Sequence, residues 1–358
     1  MNIVLVSPND WGGTNCLMSR GINKLTEHSA RSITEAHHPF QYDTDIVLED
    51  IKSEEDFKKI ENLIDEADFY CIAQGIPPSI LNYTKGKMNV RNSFIRYSGS
   101  DVRDKADALF ESQVHNYFFW SFTAYDFTMT RCLIQSLHHN THIIDTNKWR
   151  PLKKKIDKNL PIVIYHSPTN NETKGTKQIT TAIENLSKKY NIEWSHTGCD
   201  PSGTGGQPWA EIMEKKRGTD IFVDSIKLRE HGQNTVEAMC FGIPVLTRLS
   251  DYYFALYPDT PIINTDKNNI EKNLEMLLQQ PELRKSIGIK TRKYCEEMFS
   301  IERRVPMWIN MIEFIMDPTS DPIYKEPTYW QRQTAMFYGN QFSKSNEYSE
   351  YINNKVEI

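Results

Sequence analysis

The chain has 358 residues, with 42 Lys and Arg against 47 Asp and Glu, a formal net charge of −5. At about 150 residues per domain the length predicts two domains with cores of their own, and 39% hydrophobic residues exclude a chain disordered throughout. The 16 Gly and 17 Pro follow no repeat, which excludes a fibrous protein, and no stretch reaches the roughly 18 uncharged apolar residues of a membrane span.

The opening residues 1–6 lead into polar sequence without a basic or apolar leader, so the expected location is the cytoplasm, with at most peripheral membrane contact. Six cysteines show no C-x-x-C spacing, which argues against a zinc knuckle and reads as free thiols in a reducing compartment. The mild negative balance gives no bulk attraction for phosphate backbones, leaving nucleic acid as the weaker partner class.

Short, β-branched apolar runs at 3–6, 45–48, 69–73, 143–144, 162–165, 221–223 and 243–246 have the near-continuous pattern of strands buried on both faces of a parallel sheet. Between them lie helical patterns. Ile179, Ala182, Ile183 and Leu186 share one face, as do Ile270, Leu274, Leu277 and Leu278. This alternation predicts α/β layering. The pattern breaks at 146–160, around Trp149, Arg150, Pro151 and the Lys153, Lys154, Lys155 run, which reads as a solvated linker. A last helix carries Val305, Trp308, Ile309, Ile312 and Met316, and the tail 319–358 is rich enough in aromatics to be expected to pack back on the body.

In open α/β sheets ligands bind beyond the carboxyl ends of strands, so the loops there hold the candidate chemistry. After the first strand come Asn9, Trp11 and the Gly12-Gly13 pair, read either as a tight turn or as backbone close to a ligand beneath helix amides. The G-x-G-x-x-G fingerprint of dinucleotide sites is missing. After 94–97 come Ser98, Gly99, Ser100, Asp101 and Arg103, where an Asp and an Arg either position a hydroxyl or phosphate or cap and pair locally. After 162–165, Lys174 and Gly175 open a helix, and the lysine is either an ammonium beside amides, which suits a diphosphate, or a solvated side chain. After 221–223 the polar stretch Glu230, His231, Gly232, Gln233, Asn234 precedes a short helix that Gly242 stops. Glu237 near that helix start either accepts neighbouring hydroxyls such as those of a ribose or is a surface carboxylate. The His37-His38 and His138-His139 pairs are adjacent, point to different faces and lack partners at ligand spacing, so no metal site is expected.

The segments HSPTNNETKGT and VEAMCFGIPVL, with YSGSDVR in the first half and THIIDTNKWRP at the junction, resemble the GT-B glycosyltransferases of the large retaining family four. The resemblance implies two Rossmann-like domains facing a central cleft: residues 1–150 for the acceptor, 151–312 for the nucleotide sugar, and 313–358 as a helix and tail returning to the first domain. It implies that Lys174 meets the donor diphosphate, that Glu237 holds the ribose and that 230–234 face the sugar. The site then comprises Asp101, Glu230 and Lys174 as catalytic residues. Gly12, Gly13, Gly175, His231, Gly232, Gln233, Asn234 and Thr235 join Lys174 and Glu237 as donor contacts, and Asn9, Trp11, Ser98 and Arg103 are the acceptor contacts. Three positions depart from the pattern: Arg229 stands where the first acid belongs, with Glu230 one step later; Ser98 replaces a histidine; and Asn171 replaces a basic residue.

The expected activity is therefore metal-free transfer, with retention, from a nucleoside-diphosphate sugar to a glycan or other hydroxyl acceptor, without a resident cofactor. The alternatives are a nucleotide-sugar epimerase of the same fold, a glycosyltransferase acting on a DNA base, for which Arg91, Arg96, Arg103 and Lys105 would line a groove, and a noncatalytic sugar-binding homologue.

Overall fold

A computed structural model describes residues 1–84, 86–89, 91–97, 121–123, 136–138, 142–152, 159–198 and 206–317. The chain forms two compact units. The first holds Met1–His38 and the described residues of Tyr42–Thr141 and of Ile301–Ile358; the second holds Pro39–Gln41 and the described residues of His142–Ser300.

The first unit runs β1 (Asn2–Ser7), α1 (Thr14–Leu25), β2 (Ser29–Thr34), β3 (Ile46–Val47), α2 (Glu54–Asp65), β4 (Phe69–Ala73), α3 (Pro78–Thr84), β5 (Ser93–Tyr97), β6 (Ser121–Thr123) and β7 (Ser136–His138). Its seven strands are parallel in the order β3-β2-β1-β4-β5-β6-β7. Every position of β1 after Asn2 is buried, as a central strand covered on both faces requires. Val4 and Val6 pack with Ile60 and Ile64 of α2 and with Tyr70 and Ile72 of β4. The order reverses between β1 and β4, so the crevice beyond the ends of these strands is the switch point of the sheet.

The second unit runs β8 (Ile162–His166), α4 (Asn171–Lys174), α5 (Thr176–Ser187), β9 (Ile192–His196), α6 (Trp209–Arg217), β10 (Ile221–Val223), α7 (Gln233–Cys240), β11 (Val245–Thr247), α8 (Asp251–Leu256), β12 (Ile263–Asn264), α9 (Ile270–Gln279) and α10 (Pro281–Phe299). Five parallel strands lie in the order β12-β11-β10-β8-β9. Ile164, Ile221, Val223 and Leu246 pack with the buried faces of α5 and α9. Tyr165, Phe222 and Val245 pack with Val236 and Met239 of α7 and Cys295 and Phe299 of α10.

The last described helix, α11 (Ile301–Met316), belongs to the first unit and lies on α1. Trp308 is buried there, its ring 5.4 Å from that of Phe94 and close to perpendicular.

The sequence misplaced some elements. Residues 143–144 form no strand: Ile144 makes a single bridge to Ser300. The strand expected at 243–246 begins two residues later, because Gly242 in a left-handed turn and Pro244 occupy its start. Strand β2, SARSIT, was missed because its polar residues are sheltered by local bonds: Ser32 Oγ donates to Asp45 Oδ2 at 2.7 Å. The four described cysteines, Cys16, Cys71, Cys240 and Cys295, are buried free thiols. The Lys153 to Lys155 run and the tail 319–358 lie outside the described residues.

Candidate functional site

Two buried strand ends in the second unit, those of β8 and β10, gather most of the chemistry. Lys174 closes α4, whose start is fixed by the side chain of Asn170 accepting from Thr173 N at 2.9 Å. The Lys174 carbonyl accepts from Ile226 N at 3.1 Å, which ties the segment after β10 to it. The Lys174 ammonium then donates to Asp224 Oδ1 at 2.6 Å, while Thr235 Oγ1 donates to Asp224 Oδ2 at 2.8 Å. Burial pushes the Asp224 carboxyl up, but the charge and hydrogen bond of Lys174, with Thr235, outweigh it and hold the group at about 2.

His166, at the end of β8, is fully buried, and burial lowers it to about 4 against the pull of Val223 O and Asp224. The ring is thus neutral at pH 7. Its Nδ1 bonds Val223 O at 2.8 Å and its Nε2 meets Thr176 Oγ1 at 2.9 Å, which fits an Nδ1–H tautomer accepting from the threonine. This histidine pins the start of α5 to the two strand ends.

Helix α7 opens at Gly232 in extended conformation, with no side chain capping it. A Cβ added at Gly232 would stand 3.9 Å from Lys174 Nζ and 4.0 Å from Asp224 Oδ2. The helix start therefore faces the ammonium with no side chain between them, a combination of amides and cation that suits a phosphate. Asn234 turns its Nδ2 to Ser167 O at 2.7 Å. Glu237 is buried rather than at the surface, its Oε1 accepting from Trp209 Nε1 at 2.8 Å and its Oε2 bonded by Lys216.

In the loop before α7, Glu230 is the buried acid and Arg229 is half-buried. Arg229 O accepts from Ser250 N at 2.8 Å. Glu230 lies near Tyr253, whose phenol is driven up by burial first and by surrounding groups that include this carboxylate. His231 is packed edge-on against Tyr253 and Phe299, with ring centroids at 5.2 and 5.5 Å. Gln233 donates its Nε2 to Ile143 O at 2.8 Å. Thus Lys174, Gly232, Asn234, Thr235 and Glu237 come together around the start of α7, while His231 and Gln233 are engaged by their own unit. Gly175, in left-handed conformation, links α4 to α5.

In the first unit the Gly12-Gly13 turn leads into α1, but the amides expected to face a ligand already have an acceptor. Asp10 takes Asn15 N on Oδ1 and Cys16 N on Oδ2, both at 2.9 Å. This carboxyl is fully buried and raised by burial, against the opposing charge of Arg96 and those amides. Arg96 in turn donates to Asn15 Oδ1 at 3.3 Å. Trp11 stays partly exposed at 40%, edge-on to His38 at 4.5 Å. His37 bonds Asp50 at 2.8 Å, so the two adjacent histidines go separate ways. Asn9 accepts from Trp11 N through its carbonyl at 2.9 Å. Ser98, Asp101 and Arg103 lie outside the described residues.

Sequence reasoning passed over Asp224, Lys216, Trp209, His166 and Asp10. Asp224 had a signal, a carboxylate directly after a wholly apolar strand. Lys216 had none, sitting inside a Lys-Lys-Arg run that reads as solvated surface.

No family model matches the chain. No curated protein matches it in sequence. Solved structures do match in shape. Sucrose-phosphate synthase from Thermosynechococcus elongatus superposes with a TM-score of 0.62 at 11% identity, over 89% of this chain and 100% of that one. An α-glucosyltransferase solved with UDP and a 13-mer DNA gives 0.59 at 12% identity, over 87% and 98%. HepE from Anabaena, solved with UDP-glucose, gives 0.57 at 10% identity, over 87% and 99%. The fold is GT-B. At these identities it is the architecture that is shared, and the chemistry rests on the residues just described.

Proposed function

We propose that this GT-B chain is a glycosyltransferase that moves a sugar from a nucleoside-diphosphate donor to an acceptor hydroxyl. The observation carrying this reading is the uncapped start of α7 at Gly232, 3.9 Å by its absent Cβ from the Lys174 ammonium. An ammonium has three protons, and Asp224 takes one. The others, with the α7 amides, stabilise the charge that develops on a departing diphosphate, which is where electrostatic catalysis acts. Glu237 takes the ribose, and the 230–234 loop, with Glu230 as the buried acid, faces the sugar. Acceptor binding falls to the first unit, through Asn9 and Trp11 and through Ser98, Asp101 and Arg103. The reaction retains configuration, uses no metal and takes the nucleotide sugar as its only small co-substrate. A glycan is the favoured acceptor. Uridine is the first base to try, because neighbours of the same fold were solved with UDP and UDP-glucose.

A thermal-shift panel of UDP-, GDP-, ADP- and CMP-sugars tests the donor half, since a ligand that binds the folded chain stabilises it by mass action. One nucleotide family should raise the midpoint in the wild type and not in a Lys174→Met/Asp224→Asn variant. No shift with any of them would overturn the reading.

A further inference from the structure

Among the described residues Lys216 is the one lysine buried completely, although its neighbours in α6, Lys215 and Arg217, reach the surface side and bond Gln207 and Arg150. Its ammonium donates to Asn234 Oδ1 at 2.6 Å and to Glu237 Oε2, and stands 5.4 Å from the centre of the Phe222 ring. Desolvating an ammonium and a carboxylate costs several kcal/mol per ion, and apolar side chains of similar volume would join α6 to α7 without that cost. Packing alone does not call for this pair.

What the pair does is orient two side chains one turn apart on the same face of α7. Asn234 has its oxygen drawn to Lys216, which leaves Nδ2 for Ser167 O. Glu237 has Oε2 on the lysine and Oε1 on the Trp209 indole. A carboxylate offers about four acceptor directions, so one direction remains on each oxygen. Two adjacent acceptors on a fixed, charged group fit two vicinal hydroxyl donors.

We infer that Lys216 is a positioning residue that holds Glu237 fixed for recognition of a vicinal diol, the ribose 2′- and 3′-hydroxyls of the donor nucleotide. The inference rests on the donor reading above and adds to it a selection for ribonucleotides over deoxyribonucleotides, exercised through a residue that does not itself touch the ligand. Charge-assisted hydrogen bonds are lost with either hydroxyl, so the preference is expected to be about tenfold or more.

The test is the affinity for UDP and for its 2′-deoxy analogue, by calorimetry, in the wild type, Lys216→Met and Lys216→Gln. The wild type should favour UDP by at least about tenfold. Lys216→Met should bind UDP at least about tenfold more weakly, with the ratio between the two ligands falling toward one. Lys216→Gln keeps an N–H donor without the charge, preserves the fold if methionine does not, and should fall between the two. A folded variant of either kind that keeps the wild-type ratio would overturn the role of Lys216 and leave the donor reading standing. A wild type that binds neither UDP, GDP nor ADP would overturn both.

Discussion

Helices α1 and α7 begin with the same unsatisfied amides and resolve them in opposite ways. At α1 the chain supplies its own anion: Asp10 spans Asn15 N and Cys16 N and is buried beneath them. At α7 the first position carries no side chain, and the neighbouring charge is the Lys174 cation. A helix start becomes an anion site only when the chain leaves its amides to a ligand. Two adjacent glycines precede α1 and a single one precedes α7, and the single one leaves its helix start the more open.

Breaking the cation side should have the largest effect. Lys174→Ala leaves Asp224 as a buried charge without its partner, so stability should fall by about 3–5 kcal/mol in urea unfolding, and UDP affinity should fall with it. The double variant Lys174→Met/Asp224→Asn should recover most of the stability and none of the affinity. Recovery of both would remove Lys174 from the diphosphate.

Acid should come next. His166 has a native value of about 4 against an ordinary 6.5, so the unfolded chain binds a proton that the folded one refuses. Stability should therefore be full above pH 6.5, decline as pH drops towards 4 and stop changing below it on this account, by on the order of 3 kcal/mol. Thermal midpoints across that range, compared with His166→Gln, measure the share that belongs to this ring.

Asp10→Ala sharpens the comparison from the other side. It should cost about 1–3 kcal/mol, because two buried amides lose their acceptor. It should also turn α1 into what α7 is: millimolar inorganic phosphate should raise the thermal midpoint of the variant more than that of the wild type. Equal shifts would show that Asp10 is not what closes this helix start.

The smallest effect on folding is expected at Gly232→Ala. The added methyl group meets its neighbours at 3.9 and 4.0 Å, ordinary contact, so stability should move by less than about 1 kcal/mol. UDP binding should weaken several-fold, since the methyl group occupies the approach to the amides. Unchanged binding would place the diphosphate elsewhere.

The α/β layering was legible because buried parallel strands such as 69–73 and 221–223 are apolar without interruption, and because helices such as 270–279 carry a strict apolar face. Strand β2 was illegible because its serines find partners only once Asp45 has been brought beside them. The motif around Lys174 and Glu237 marks the start of α7 in the sequence, but its local pattern leaves each side chain open to a solvated reading. Both are buried, each against an opposite charge that no local pattern announces, since Asp224 and Lys216 come from other elements. Burial of a charge is decided by its partner, and partners fifty or twenty-one residues away are a property of the fold.

Helix α11 sets the order in which this chain can be completed. A Cβ on Gly21 would stand 2.6 Å from Val305 and 2.7 Å from Ile301, so α1 is shaped to receive a helix that is synthesised after the whole of the second unit. By the time Ser300 has been made, the second unit has all its described strands and helices, while the first still lacks the cover for one side of α1. The first unit therefore cannot be complete until the second has been synthesised and Trp308 can reach Phe94. A chain cut after Ser300 would keep both sheets and expose the face of α1 around Gly21, a surface prone to self-association.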